Sequence, residues 1–453
     1  MNKKTISGVF IALFLLLSLL PAAGMVFLGE SKATANETLS PDPKLRNSDG
    51  GVNLSVLKET TDYVADHFFL RNELVNAWAE LNAAVFHTSS EEQVLLGSDG
   101  WLFYASTLDD YMGRGMTDTE LKRAAANLAL IQEYAENCGA KFLFTIAPNK
   151  NSLYSAQMPS YVPFSHEQAN SQRIQPYFAS MGIHYRDLFS AFRERGEVLY
   201  YKTDSHWTDR GAALAADSIM DGFETAVGYY DKDFPLTFAH RGDLYEMLFP
   251  TGKGTETAYS YADFAYSTEG NPNGGNAMRI QTTNESAEGA LLCWRDSFGI
   301  SLYPYLADSF GRALFLRSSN YDLTEIDALQ ADHVLIELVE RNLDWLIRYA
   351  PVMPAPRREI GLNDAVCSDQ CVFAAGKTDN KHHLVYVSGE LGVPYDGGAV
   401  YLLSGDYSYE AFLTESGGKW FFHAYLSEEQ NEGLNSLCVE TYSALMCYPL
   451  QIK

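Results

Sequence analysis

The sequence predicts an α/β body built on a parallel sheet flanked by helices, followed by a small β-sandwich-like domain. Three observations predict it. Short continuous apolar runs, Lys141–Ile146, Ala290–Trp294 and His333–Leu338, read as strands buried on both faces. Each is followed or preceded by a segment of helical period, which is the alternation of a parallel sheet. After about Pro351 that alternation stops, and short runs such as Leu384–Val387, Ala399–Leu403 and Lys419–Tyr425 are separated by Gly, Asp and Ser turns.

The elements follow in order. Lys3 and Lys4 precede a run, Thr5–Gly29, with no charged residue before Glu30. A membrane-spanning helix needs about 20 apolar residues, so this run is expected to serve as an uncleaved signal anchor with the body outside the membrane. Small-residue sites at Pro21–Gly24 and Ala33–Ala35 leave a cleaved signal peptide as the alternative. Residues 31–55, rich in Ser, Asn, Asp, Gly and Pro, read as a linker. Val56–Phe86 reads as helical. Val94–Tyr104 reads as a hairpin turning at Ser98-Asp99-Gly100. Thr117 and Glu120 form a capping box for a helix that presents Leu121, Leu128 and Ile131 and ends near Gly139. Gly182–Tyr185 leads into a helix over Leu188–Arg195. Thr208 caps an alanine-rich helix. Ala290–Trp294 leads into a helix over Ile300–Phe310, and His333–Leu338 is the last buried strand. No internal repeat is present. The domain reading is 1–30 targeting segment, 31–55 linker, 56–350 body and 351–453 β domain.

The 453 residues suffice for two or three domains. A formal net charge of -25 argues against binding nucleic acid or an anionic membrane surface through charge. Four of six cysteines, Cys367, Cys371, Cys438 and Cys447, fall in the last 90 residues. Outside the cytoplasm that cluster predicts at least one disulfide.

The chemistry-bearing segments are Asp204-Ser205-His206-Trp207 and Arg295-Asp296-Ser297-Phe298-Gly299. A serine hydroxyl becomes a nucleophile near neutral pH only when a base takes its proton and an acceptor orients that base. Asp204 and His206 sit on a connection just before a helix, where functional residues concentrate. Ser297 ends an apolar strand at the entry to a helix, where backbone N–H groups face a developing oxyanion. Asp-Ser-Phe-Gly recurs at 308–311, but at the end of the same helix, with Gly311 as its expected C-cap. Ser297 is therefore the expected nucleophile. A metal site on Asp204 and His206 is not expected, because no further ligand cluster lies near them in the sequence.

Six segments together resemble the alginate O-acetyltransferase-like group of SGNH hydrolases, and within it the bacterial DHHW family: Asp66–Arg71, Gly97–Tyr104, Ala147–Asn151, Asp204–Trp207, Arg295–Gly299 and Val339–Asn342. One departure is Ser205, where the family name has a second His. The resemblance covers roughly 60–345. It implies an SGNH fold with Asp and His ahead of Ser, and Asp204, His206 and Ser297 as the triad. It implies acetyl transfer to, or removal from, an extracytoplasmic polysaccharide; no cofactor is expected. A multipass membrane acyltransferase would be the acetyl donor. The Ser297 amide and Asn149 are candidate oxyanion donors, and Tyr104, Tyr111 and Arg295 candidate sugar or oxyanion contacts. The competing expectation is a carbohydrate-binding or envelope assembly protein on the same scaffold without catalysis.

Overall fold

The computed structural model of the chain describes residues 3–33, 38–48, 50–165, 168–270 and 274–452. Thr34 and Ala35 of the second small-residue site lie outside them. Helix α1 (Lys3–Leu28) covers the N-terminal run, with Pro21 inside it. Its far end touches the body, where the Phe69 amide donates to the Pro21 carbonyl at 3.3 Å. Among the described residues no helix is long and apolar enough to cross a membrane, so the expected spanning helix is not met. The side chains of Ile6, Leu16, Leu17, Ser18 and Ala22 lie outside the description.

The helical stretch after the linker is two helices, α2 (Val56–His67) and α3 (Arg71–Leu81), broken where Leu70 takes a φ of 64°. Strands β1 (Val94–Leu96) and β2 (Leu102–Tyr104) form the expected antiparallel hairpin, with Asp99 and Gly100 left-handed in its turn. The capping box at Thr117 and Glu120 opens α4 (Asp118–Asn137). It leads to β3 (Lys141–Ala147), and β4 (Tyr185–Arg186) precedes α5 (Leu188–Arg195). Thr208 caps α6 (Asp209–Gly222). A hairpin that the sequence reading did not identify, β5 (Leu236–His240) with β6 (Glu256–Ser260), follows. Then come β7 (Ser267–Thr268), β8 (Arg279–Thr283), β9 (Ala290–Trp294), α7 (Gly299–Ser309), β10 (Arg312–Leu316) and β11 (His333–Val339).

The main sheet has seven strands in the order β4-β3-β11-β9-β10-β8-β7. The first five are mutually parallel. β8 and β7 add antiparallel strands at one edge, so the sheet is not parallel throughout. Arg279–Thr283 escaped the sequence reading because it alternates buried Ile280 and Thr282 with polar neighbours, the pattern of a sheet margin. In the centre both faces are dry. Phe142, Phe144 and Ile146 of β3 and Ala290, Leu292 and Trp294 of β9 enter one core with Leu128 and Ile131 of α4. Leu143, Ala147, Leu291 and Cys293 enter the other, with Ala212–Ala216 of α6 and Leu302 and Leu306 of α7. Strand period 2 thus divides one apolar run between two helix layers. α7 ends at Ser309 with Phe310 extended, so Gly311 is not the expected left-handed cap. Gly311 is needed for close approach, since a Cβ there would lie 2.8 Å from the Ala287 carbonyl oxygen.

From Arg357 to Ile452 the chain forms one ten-stranded sheet. Strands distant in its order, such as Val400–Ser404 and Lys419–Leu426, share a single core around Leu402, Leu413, Phe422 and Leu437, so the sheet curls over on itself. It rests on α4, whose buried Asn127 donates to the carbonyls of Leu346 and Leu413 at 2.7 Å. Cys438 and Cys447 form a disulfide between adjacent strands, and Cys367 and Cys371 remain thiols.

Candidate active site

The C-terminal ends of β3, β11 and β9 lie side by side, and that edge is where parallel sheets bind ligands. Ser297 stands three residues past β9, just before α7. Its neighbour Asp296 is 4% exposed and holds the turn: one oxygen accepts from the Phe298 amide at 2.9 Å, the other from the Val339 amide at 2.8 Å and the Asn342 side chain at 3.1 Å. Buried Glu340 accepts from Ser152, Ser171 and the Asn149 amide, tying the end of β11 to the end of β3. These bonds explain why Val339–Asn342 and Ala147–Asn151 accompany the serine motif.

Asp204 and His206 sit on the loop before α6. The structure brings them to Ser297 across 91 residues of sequence. His206 Nδ1 lies 2.7 Å from Asp204 Oδ1 and Nε2 lies 2.9 Å from Ser297 Oγ. Asp204 also accepts from the His206 and Asp243 amides and faces His240 Nε2 at 3.0 Å. Burial alone would raise the Asp204 carboxyl, but the hydrogen bonds from His206 and His240 hold it well below the usual carboxylate range. Burial alone would lower His206, but the bond to Asp204 and the charges of Asp204 and Asp243 raise it. Phe298 packs on the imidazole with ring centroids 4.9 Å apart, and Trp207 Nε1–H donates to Ser301 Oγ at 2.8 Å.

Three residues here were not identified from the sequence. Lys150 is 4% exposed, and its ammonium donates to the backbone carbonyls of Tyr201, Lys202 and Asp204 at 3.2, 2.9 and 2.5 Å. All three donors of that ammonium thus gather the loop that carries Asp204. Burial pulls Lys150 down to about 7 against the attraction of Asp204, Asp243 and Glu256. Asp243 accepts from the Ser205 amide and hydroxyl, and one of its oxygens lies 3.5 Å from His206 Nδ1. His240, on β5, stacks on Tyr201 with ring centroids 4.0 Å apart. Lys150 directly follows Asn149 in a motif already singled out, which was an available signal. Asp243 and His240 lie in the overlooked hairpin region and carried none.

Asp204, His206 and Asp243 have ligand-capable atoms within 4.8 Å of one another, so the sequence expectation of no third ligand nearby is corrected. Each group is already engaged, since the Asp204 oxygens take four donors and His206 Nδ1 is paired with Asp204.

The relay opens into a cavity of about 300 Å³, walled by Trp207, Phe238, His240, Ile300 and Ser301. The other sequence-predicted residues lie elsewhere. Arg295 is 2% exposed, and its guanidinium donates to the carbonyls of Gly275, Ala277 and Asp296, so it anchors a loop. Tyr111 is buried and stacked on Phe164, and is not among the residues lining the serine cavity. Tyr104 donates to Gln93 and lies under the Arg341 guanidinium. Asn149 is buried in a small enclosure with Tyr104, Ser205 and Arg341, and is not among the residues lining the serine cavity. Among the described residues nothing accepts from the Ser297 amide, which leaves it available beside the N-terminus of α7.

Residues 94–277 match the family model described as SGNH hydrolase-like domain, acetyltransferase AlgX. The match bears out the resemblance read from the sequence motifs. Curated relatives described as "Probable alginate O-acetylase AlgJ" are 29% identical over 168 residues in Pseudomonas syringae pv. tomato and 26% identical over 202 residues in Azotobacter vinelandii. These alignments cover 36% and 40% of this chain and 41% and 48% of the relatives, so the chain spans less than half the length of the curated relatives it matches. Solved structures similar to it include Bacillus cereus PatB1 (18% identity, TM-score 0.42, 55% of this chain and 96% of that one). The O-acetyltransferase domain of Pseudomonas putida AlgJ is another (17% identity, TM-score 0.38, 55% and 91%).

Proposed function

We propose that the chain is a serine-dependent polysaccharide O-acetyltransferase or acetylesterase that works outside the cytoplasm through an acetyl-serine intermediate. The observation that carries this reading is the continuous Asp204–His206–Ser297 relay, with contacts of 2.7 and 2.9 Å, at the wall of an open cavity. His206 Nε2 takes the Ser297 hydroxyl proton as Oγ attacks an acetyl carbonyl. Asp204 stabilises the imidazolium. The carbonyl oxygen, now negative, is met by the Ser297 amide at the helix entry. His206 then returns its proton to the leaving oxygen. In the second half a sugar hydroxyl or water gives its proton to His206 and takes the acetyl group from Ser297. The family match and the AlgJ relatives support a polysaccharide acceptor. A membrane acyltransferase is the proposed source of acetyl. The Cys438–Cys447 disulfide supports an oxidising compartment.

The test offers purified full-length protein an activated acetyl ester together with soluble oligosaccharides. The expected result is acetate release, sugar acetylation, or both, abolished by Ser297→Ala. Neither product above the uncatalysed rate would overturn the reading.

The acid limb of the pH profile follows from His206. Only the neutral imidazole accepts the serine proton, and the bond to Asp204 with the charges of Asp204 and Asp243 holds its pKa above that of an ordinary imidazole. Turnover is therefore expected to fall as pH drops through a midpoint higher than that of an ordinary imidazole. Asp243→Asn removes one of the charges that raises His206, so the midpoint is expected to move to lower pH in a kcat/KM profile. Lys150→Met keeps the bulk and removes all three donors to the 201–204 loop. It is expected to lower kcat about 100-fold, the scale for a misplaced catalytic group, in steady-state kinetics on the same ester.

A further inference from the structure

Three of the four C-terminal cysteines stand in one row across the β domain. The strand Leu445–Ile452 carries Cys447 and has a neighbour on each side. On one side it pairs antiparallel with Leu434–Glu440, where Cys438 lies opposite Cys447. On the other it pairs parallel with the two-residue strand Val366–Cys367, where Cys367 lies opposite Cys447. Residues opposite each other in a ladder project from the same face of the sheet. The order across the sheet is therefore Cys367, Cys447, Cys438, and the disulfide joins the second to the third.

Accessibility falls along this row. Cys367 is an exposed thiol, Cys447 is 9% exposed and Cys438 is completely buried. In thiol–disulfide exchange a thiolate attacks one sulfur of the bond from the side away from the sulfur that leaves. Cys367 approaches Cys447 from the side away from Cys438. Neighbouring strands lie about 4.8 Å apart, and cysteines bridge at Cα separations of roughly 4.4–6.8 Å, so a Cys367–Cys447 bond needs no change of fold. The Ser368 amide holds the register there by donating to the Cys447 carbonyl at 2.9 Å. Cys371 has no such place, because its neighbour Val372 pairs with Leu450, further along the strand than Cys447.

We propose that Cys367 is an exchange thiol that moves the cross-link from Cys438–Cys447 to Cys367–Cys447. The Cys367 thiolate bonds to Cys447 Sγ, and the old bond breaks with its electron pair on Cys438 Sγ. Cys438 takes up a proton to replace the one Cys367 released. One disulfide is broken and one is made, so no oxidant or reductant is consumed. The exchange shifts what the cross-link holds. The Cys438–Cys447 bond closes a separation of 9 residues within one hairpin. A Cys367–Cys447 bond closes positions 367 to 447 and fastens the largely exposed segment 359–371 to the sheet. The longer closed loop restrains the unfolded chain more strongly. The row is thus a thiol-operated clamp on the β domain, separate from the serine chemistry.

The test holds folded, full-length protein without oxygen at mildly alkaline pH, where thiolates form, then quenches in acid and maps disulfides by mass spectrometry. Cleavage at Asp369 and Glu440 puts the four cysteines on separate peptides. The expected result is a linked Cys367–Cys447 peptide together with a free Cys438 thiol. Both are expected to be lost in Cys367→Ala and after blocking of exposed thiols with N-ethylmaleimide, and kept in Cys371→Ala. A Cys438–Cys447 bond that stays complete throughout the incubation would overturn the proposal. So would a Cys367–Cys371 bond in the untreated protein, or linkage of Cys371 to Cys447 as readily as of Cys367.

Discussion

Ser297→Ala is expected to lower turnover of an activated acetyl ester by about 10⁴- to 10⁶-fold while the protein stays folded. The size follows from the mechanism, since the oxygen that forms the covalent bond is removed and His206 has nothing to deprotonate. The fold should survive because the hydroxyl makes a single side-chain hydrogen bond, to His206, worth about 1 kcal/mol. Steady-state kinetics alongside thermal unfolding checks both halves. Ser309→Ala, in the second Asp-Ser-Phe-Gly copy, should cost little. Ser309 Oγ only donates to the Tyr305 carbonyl and touches Tyr229 at the far end of α7. Loss of activity in that variant with retention in Ser297→Ala would assign the nucleophile wrongly.

Asp204→Asn is expected to cost about 10⁴-fold in kcat. The Asp204 carboxylate is surrounded by donors on both oxygens: the His206 amide and Nδ1 on one, the Asp243 amide and His240 on the other. An amide has one acceptor and two donors, so either orientation sets its NH₂ against a backbone N–H. If the NH₂ faces His206, the ring must accept at Nδ1 and carry its proton on Nε2, where it can no longer take one from Ser297. Proton NMR of the imidazole should lose the Nδ1–H signal in the variant. A kcat within about tenfold of the parent would show that the acid orients nothing essential.

Much of the body was legible because its signals are local. Apolar runs such as Phe142–Ile146 and Leu291–Trp294 are buried on both faces, and such strands announce themselves by continuity. The capping boxes and caps at Thr117 and Thr208 needed only their own neighbours. The antiparallel edge at β8 and the β5–β6 hairpin were not legible, because polar, partly exposed strands show little apolar pattern. That Asp204, His206 and Ser297 come together could be read because serine chemistry calls for those residue types and the motifs fix their places. Lys150 could not be read as the holder of the 201–204 loop, since its partners are backbone carbonyls, which leave no trace in side-chain identity. Arg295 shows the converse: a charged residue beside Ser297 looks functional in sequence, yet its guanidinium holds three backbone carbonyls.

The central claim is that Ser297 carries the acetyl group. Brief exposure to an activated acetyl ester, acid quenching, and mass spectrometry of the peptide spanning Ser297 measures it directly. The expected result is an acetylated peptide with the group on Ser297, absent from Ser297→Ala and accumulating when acceptor is withheld. Sustained turnover with an unmodified Ser297 peptide, or an acetyl group that persists in Ser297→Ala, would contradict it.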